Sequence, residues 1–123
     1  MRKHANKTIF VPLTSIVLHG STPSISLRML ARVSSSAKDT DFTAKLIDVY
    51  TPNCDYSRGY HLNLADSIIR MRFRNGFEKE ELATPDHIYR VQIELPPISN
   101  LFKSGHRIRL DIASSNFPKY DIN

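Results

Sequence analysis

Residues 34–50, SSSAKDTDFTAKLIDVY, set the terms for the rest of the chain. Small and acidic residues from Ser34 to Asp41 make a polar turn, and the nine residues Phe42–Tyr50 then read as a strand. Side chains alternate across a strand, so Phe42, Ala44, Leu46 and Tyr50 point one way and Thr43, Lys45, Ile47 and Val49 the other. Apolar residues fall on both faces towards Tyr50, so that end is expected to be covered on both sides. Such a strand belongs inside a layered β structure, with its loop at the tip.

The remaining segments agree with that expectation. Thr8–Leu13 and Ser15–His19 are short β-prone pieces, and Gly20, Ser21 and Pro23 signal a turn. In Ser24–Val33, Ile25, Leu27, Met29, Ala31 and Val33 share a face. Thr51–Gly59 is rich in turn residues. Leu62–Arg74 reads as loop and then strand from Ile68, closed by Asn75-Gly76. Phe77–Pro85 is a charged connection with room for one helical turn. Ile88–Leu95 alternates cleanly, with Pro96-Pro97 expected to end it because neither proline donates to a ladder. Arg107–Ser114 places Ile108, Leu110 and Ile112 inward. Six or seven strands, long polar connections and almost no helix predict an all-β sandwich with Greek-key or jelly-roll crossings.

With 123 residues the chain is one domain or part of one, long enough to bury a core. We divide it into a basic tail over 1–7 and a single sandwich domain over 8–123. No run of about 20 apolar residues is present, so no helical membrane span is expected. The basic tail followed by mostly apolar Thr8–Leu18 superficially resembles a signal peptide, but Pro12 interrupts it and no small-x-small cleavage site follows. The single cysteine, Cys54, excludes an internal disulfide and favours a reducing, cytoplasmic setting over secretion.

Net charge is +5. Its densest groups, Arg70, Arg72, Arg74 and Arg107, Arg109, are spaced by two, which places each group on one face of a strand. Such a face can track phosphates, but no aromatic residues interleave with the arginines, so a nucleic-acid partner is not expected.

Catalytic signals are absent. No serine lies in G-x-S-x-G, so there is no nucleophile elbow. The five histidines lack H-x-H or H-x-x-x-H spacing, and four glycines make no phosphate loop. No cofactor or metal is expected. Asp39 and Asp41 straddle Thr40 and could in principle hold calcium or act as acid and base. Few further oxygen ligands lie nearby, so an Asx-type turn fixing the start of the strand takes precedence. Asp48 lies mid-strand on the Leu46 face and needs a partner, for which Arg107 or Arg109 is the natural candidate.

Three segments, SSSAKDTDFTAKLIDVY, NLADSIIRMRFRNGFEKEEL (63–82) and SNLFKSGHRIRLDIASSNFPKYDIN (99–123), together resemble the C-terminal domain of the CocE/NonD serine hydrolases. That family spans acyl esterases, α-amino acid ester hydrolases and X-Pro dipeptidyl-peptidases. The resemblance runs from about Gly20 to the end of the sequence. It implies a jelly-roll, galactose-binding-like fold without the Ser-His-Asp triad, which belongs to an α/β-hydrolase domain outside this sequence. It also implies a scaffold and cleft-wall role, with Asp39, Asp41, Phe42, Asn116 and Phe117 as candidate cleft or interface residues. Relatives continue past the SSNFPKYDIN match, so the sandwich is expected to be incomplete at its C-terminus and to self-associate through open edges. A stand-alone carbohydrate-binding or interaction module is the alternative; Tyr56, Tyr60 and Tyr120 lie in predicted loops without platform spacing.

Overall fold

The computed structural model describes residues 9–10, 13–21, 24–116 and 118–120, with side chains from Leu27 onward. Among them are seven strands: β1 (Ile9–Phe10), β2 (Leu13–Ser21), β3 (Ser24–Ser35), β4 (Asp41–Tyr50), β5 (Tyr60–Arg70), β6 (Tyr89–Ile98) and β7 (Arg107–Ala113). A single 3-10 turn, Met71–Phe73, follows β5. Gly20 and Ser21, expected in a turn, belong to β2, and the tail over 1–7 lies outside the described residues.

The strands form two antiparallel sheets. In one, β3 pairs with β2 and β6 and, through Ile9↔Ser35 and Phe10↔Ser34, with β1. In the other the order is β5-β4-β7. The chain changes sheet after β3, returns after β5 and changes again after β6. Crossings of this kind close a sandwich over its core, as the long connections predicted.

Alternation supplies that core. Leu27, Met29, Ala31 and Val33 of β3 meet Val91, Ile93 and Leu95 of β6, and both pack on Phe42, Ala44 and Leu46 of β4. Small Ala31, Ala44 and Ala65 leave room for Phe42, Met29 and Met71, so the two layers interdigitate. Leu110 and Ile112 pack partly buried against this cluster. Ile108, expected inward, is 54% exposed near the start of edge strand β7.

The central strand differs from expectation in where it is covered. Both faces are buried from Asp41 to Ala44, whereas Val49 and Tyr50 are only half-buried. On the outer face Thr43 meets the end of β7 and the chain just after it: its hydroxyl donates to the Ala113 carbonyl at 3.1 Å, with the Ser115 carbonyl at 3.5 Å.

Two boundaries are moved by tertiary contacts. β5 begins at Tyr60 and pairs with the whole of β4, from Tyr50↔Tyr60 to Asp41↔Arg70. The alternation of Ile69, Met71 and Phe73 does not continue it. Instead the Met71 amide donates to the Thr40 carbonyl at 3.0 Å and its side chain enters the core, 2% exposed. Strand β6 runs through Pro96-Pro97 to Ile98. The register shift between Ile25↔Ile98 and Leu27↔Leu95 places the prolines in an irregularity, where their missing N–H groups break no ladder.

The loop after β4 is held by Asn53, whose Oδ1 accepts the amides of Asp55 (2.9 Å) and Tyr56 (2.8 Å). Gly59 closes it at φ 75°, and a Cβ there would sit 2.6 Å from the Tyr50 carbonyl oxygen. The charged connection after β5 contains no helix. It is pinned along the polar turn by the Ala83 amide on the Lys38 carbonyl (2.7 Å) and the Asp86 amide on the Ser35 carbonyl (2.8 Å).

Phe42 is 0% exposed at the centre of this packing. Phe42→Ala is expected to lower unfolding free energy by about 3–5 kcal/mol, read from urea denaturation. A loss below about 1 kcal/mol would contradict the packing described.

Candidate functional site

Sequence attention fell on the DTDF turn, and the structure shows what its carboxylates do. Asp41 is 1% exposed, so it requires partners. The antiparallel register sets Arg70 opposite it. Arg70 donates Nε–H to Oδ1 at 3.0 Å and Nη2–H to Oδ2 at 3.2 Å. Asp39 reaches past the end of β5: its Oδ1 accepts the Arg72 backbone amide at 3.0 Å and its Oδ2 accepts Arg72 Nε–H at 2.6 Å. An Asx-type turn was expected, with local amides as donors. Arg70 and Arg72 donate from about thirty residues away, because the end of β5 lies against the turn. Hydrogen bonding to Asp41, then its charge, raises the Arg70 pKa above its ordinary value, and Asp39 does the same for Arg72.

The basic stripe also dissolves into pairs. Arg70 ends the strand, while Arg72 and Arg74 lie in and after the 3-10 turn. Arg72 approaches Glu80 (3.6 Å) and Arg74 approaches Glu81 (3.7 Å). Arg74 also donates Nη1–H to the Met71 carbonyl at 2.9 Å and lies 4.6 Å from the Tyr89 ring centre. Arg70, Arg72 and Arg74 therefore share no strand face, whereas Arg107 and Arg109 both lie in β7.

Asp48 corrects a second expectation. It is 0% exposed, and neither Arg107 nor Arg109 reaches it. Register pairs Asp48 with Ile108, so the flanking arginines project to the opposite face. Its partners are His106, with Nδ1 2.9 Å from Oδ1, and Asn100, whose Nδ2 donates to Oδ2 at 3.2 Å. Arg109 instead meets Asp111 (2.9 Å) and His61 Nδ1 (2.9 Å). Both Asp48 partners come from the loop before β7, a contact that periodicity does not reveal.

The other candidates divide. Phe42 sits in the core, so its ring is not offered to an outside surface. Asn116 donates Nδ2–H to Asp66 Oδ2 at 3.2 Å, and Phe117 lies outside the described residues. Lys119 forms an ion pair with the other Asp66 oxygen. Burial would raise the Asp66 pKa, but Lys119, Asn116 and Asn63 outweigh it and hold the pKa below its ordinary value. The hydrogen bond to Asp66 raises the Lys119 pKa.

The DTDF turn and the SSNFPKY segment therefore converge on one strand, at Arg70 and Asp66 of β5. Between them lies an open groove of about 510 Å³, lined chiefly by Ile68, Arg70, Phe73, Phe77, Lys119 and Tyr120. Of these, Arg70 was singled out in the sequence for its charge and Tyr120 for its ring, and nothing there joined them, since the groove assembles from three separate segments. At the far end of β4, Tyr56 and Tyr60 stack on one another with ring centres 4.9 Å apart, and Tyr50 meets both edge-on. Their faces are turned to each other rather than laid out as a flat platform. Among the described residues, no cluster of His, Cys, Asp and Glu is placed to hold a metal ion.

Removing a buried carboxylate from a two-point pair forfeits charge-assisted bonds, tempered here by an Arg70 side chain that is 37% exposed. Asp41→Ala is expected to cost about 1–3 kcal/mol of stability. An unchanged thermal midpoint would show that the turn is not held by this pair.

Residues 25–123 match the family described as the X-Pro dipeptidyl-peptidase C-terminal non-catalytic domain. Cocaine esterase from Rhodococcus sp. (strain MB1 Bresler) is 46% identical over 102 residues, covering 83% of this chain and 16% of the esterase. A solved α-amino acid ester hydrolase superposes with a TM-score of 0.76 at 31% identity, over 96% of this chain and 19% of the hydrolase. An aminopeptidase from a marine sediment archaeon, Thaumarchaeota archaeon, gives a TM-score of 0.71 at 30% identity, over 98% of this chain and 20% of that one. The chain thus spans about a fifth or less of each of these proteins. Matching sequence over residues 25–123 and a shared two-sheet fold make this chain a member of the X-Pro dipeptidyl-peptidase C-terminal non-catalytic domain family, within the CocE/NonD hydrolases.

Proposed function

We propose that the chain serves an α/β-hydrolase catalytic domain as scaffold and as a wall of its active-site cleft. The observation that carries this reading is the match of residues 25–123 to a domain that is non-catalytic in hydrolases several times longer. Local structure supports it. The corner built by Asp39, Asp41, Arg70 and Arg72 is cross-linked by paired hydrogen bonds, and it carries exposed apolar side chains, Phe77 at 88% and Leu82 at 58%. The Glu81 amide bonds the Arg72 carbonyl at 2.8 Å, tying the loop that bears them to that corner. In this reading Asp39, Asp41 and Phe42 position the corner from within, and the loop makes the contact.

A chimaera tests this. Residues 25–123 would replace the matching segment of the Rhodococcus cocaine esterase. Ester hydrolysis should be retained, and Leu82→Asp should lower the chimaera's thermal midpoint more than that of the isolated chain. Equal effects in both would remove the docking surface from that loop. The isolated chain should show no ester or X-Pro amide hydrolysis, and turnover blocked by a serine-directed inhibitor would overturn the reading.

We also propose that the chain self-associates. Among the described residues, β6 pairs only with β3, and β7 only with β4, which leaves one side of each strand open. Sedimentation velocity should show a concentration-dependent dimer, and a monodisperse monomer at millimolar concentration would refute it.

A further inference from the structure

We propose that the groove over β5 binds a small apolar carboxylate, with its ring or chain among Ile68, Phe73, Phe77 and Tyr120 and its carboxylate on Arg70 and Lys119. Phe77 also belongs to the proposed docking loop, so a docked catalytic domain and a groove ligand would compete for it, and the site is tested on the isolated chain.

Size is the first argument. A groove of about 510 Å³ has room for a ligand built on one aromatic ring. Its wall is the second. Phe73 and Phe77 stand with ring centres 5.7 Å apart, and Phe77 keeps 88% of its surface exposed, a large apolar area that folding leaves unburied. Tyr120 closes the other side, with Lys119 Nζ 5.7 Å from its ring centre.

Charge is the third argument. The charged groups in the wall are Arg70 and Lys119, and no carboxylate lines it. Asp66 and Arg70 lie four residues apart on one face of β5, about 13 Å at the usual rise, and Ile68 lies between them. Each cation leans on a carboxylate outside the wall, Asp66 for Lys119 and Asp41 for Arg70. Neither cation is used up. Arg70 spends Nε and Nη2 on Asp41 and keeps Nη1, while the Lys119 ammonium carries three N–H donors. The ion pairs nearly cancel at long range, so recognition rests on short donated hydrogen bonds and depends weakly on salt. A cationic ligand meets N–H donors and no carboxylate in the wall at either end, and a bare phosphate leaves the aromatic wall unfilled.

The test is a titration of the chain followed by amide and side-chain NMR shifts. Phenylacetate is the probe, 2-phenylethanol its neutral match and phenethylamine its cationic one. Saturable millimolar binding of phenylacetate, with shifts at Ile68, Phe77 and Tyr120, is expected. The alcohol should bind at least about tenfold more weakly, the change produced by one lost charge-assisted bond. Arg70→Gln would strand buried Asp41, so the informative variants are Lys119→Gln and Phe77→Ala, both at exposed side chains. Each should weaken phenylacetate binding severalfold while the circular dichroism spectrum stays unchanged. No saturable binding, equal affinity for the alcohol, or undiminished affinity in both variants would overturn the proposal. So would binding confined to an acidic peptide, since that assigns the groove to a protein segment.

Discussion

The pairing of buried Asp41 with Arg70 holds the sandwich at its most constrained point. Asp41 is the first residue of the central strand and is 1% exposed. An ionised carboxylate there is tolerable only with donors on both oxygens, and the last residue of β5 supplies them. Joining the start of one strand to the end of its neighbour fixes the register of the pair. A slip by one residue would turn Phe42, Ala44 and Leu46 away from the core and strand the carboxylate.

Asp39 and Arg72 extend the same arrangement around the corner. As the chain leaves the strand it enters the 3-10 turn, with the Met71 side chain in the core and the Met71 amide on Thr40. The charged connection then returns along the polar turn through Ala83 and Asp86. Segments remote in sequence thus become one surface, with apolar Phe73 and Phe77 on its outside. The chain after β7 closes the other flank by binding Asp66 through Asn116 and Lys119. Both the proposed docking corner and the proposed carboxylate groove arise from this convergence.

Asp48 shows the same logic at the opposite end. Its isolation in the core demands partners, which the residues alone make plain. Which partners answer depends on register. Arg109 sits one position from the residue facing Asp48, and in a strand one position reverses the direction of the side chain. His106 and Asn100 reach it from a loop whose path no alternation encodes. The spacing by two of Arg70, Arg72 and Arg74 was misleading for a related reason. Spacing by two puts residues on one face only while the strand lasts, and β5 ends at Arg70.

By itself the sequence determined the all-β class, the central place of Phe42–Tyr50, the inward face of β3 and β6, the loop after Tyr50 and the family. These follow from local alternation, turn chemistry and long matching motifs, all written in contiguous residues. The tertiary structure alone decided the carboxylate partners, the end of β5, the passage of β6 through two prolines and the groove. Each depends on which distant backbone lies alongside. The energy of a buried charge or a shaped surface is set by neighbours in space, which contiguous residues do not specify.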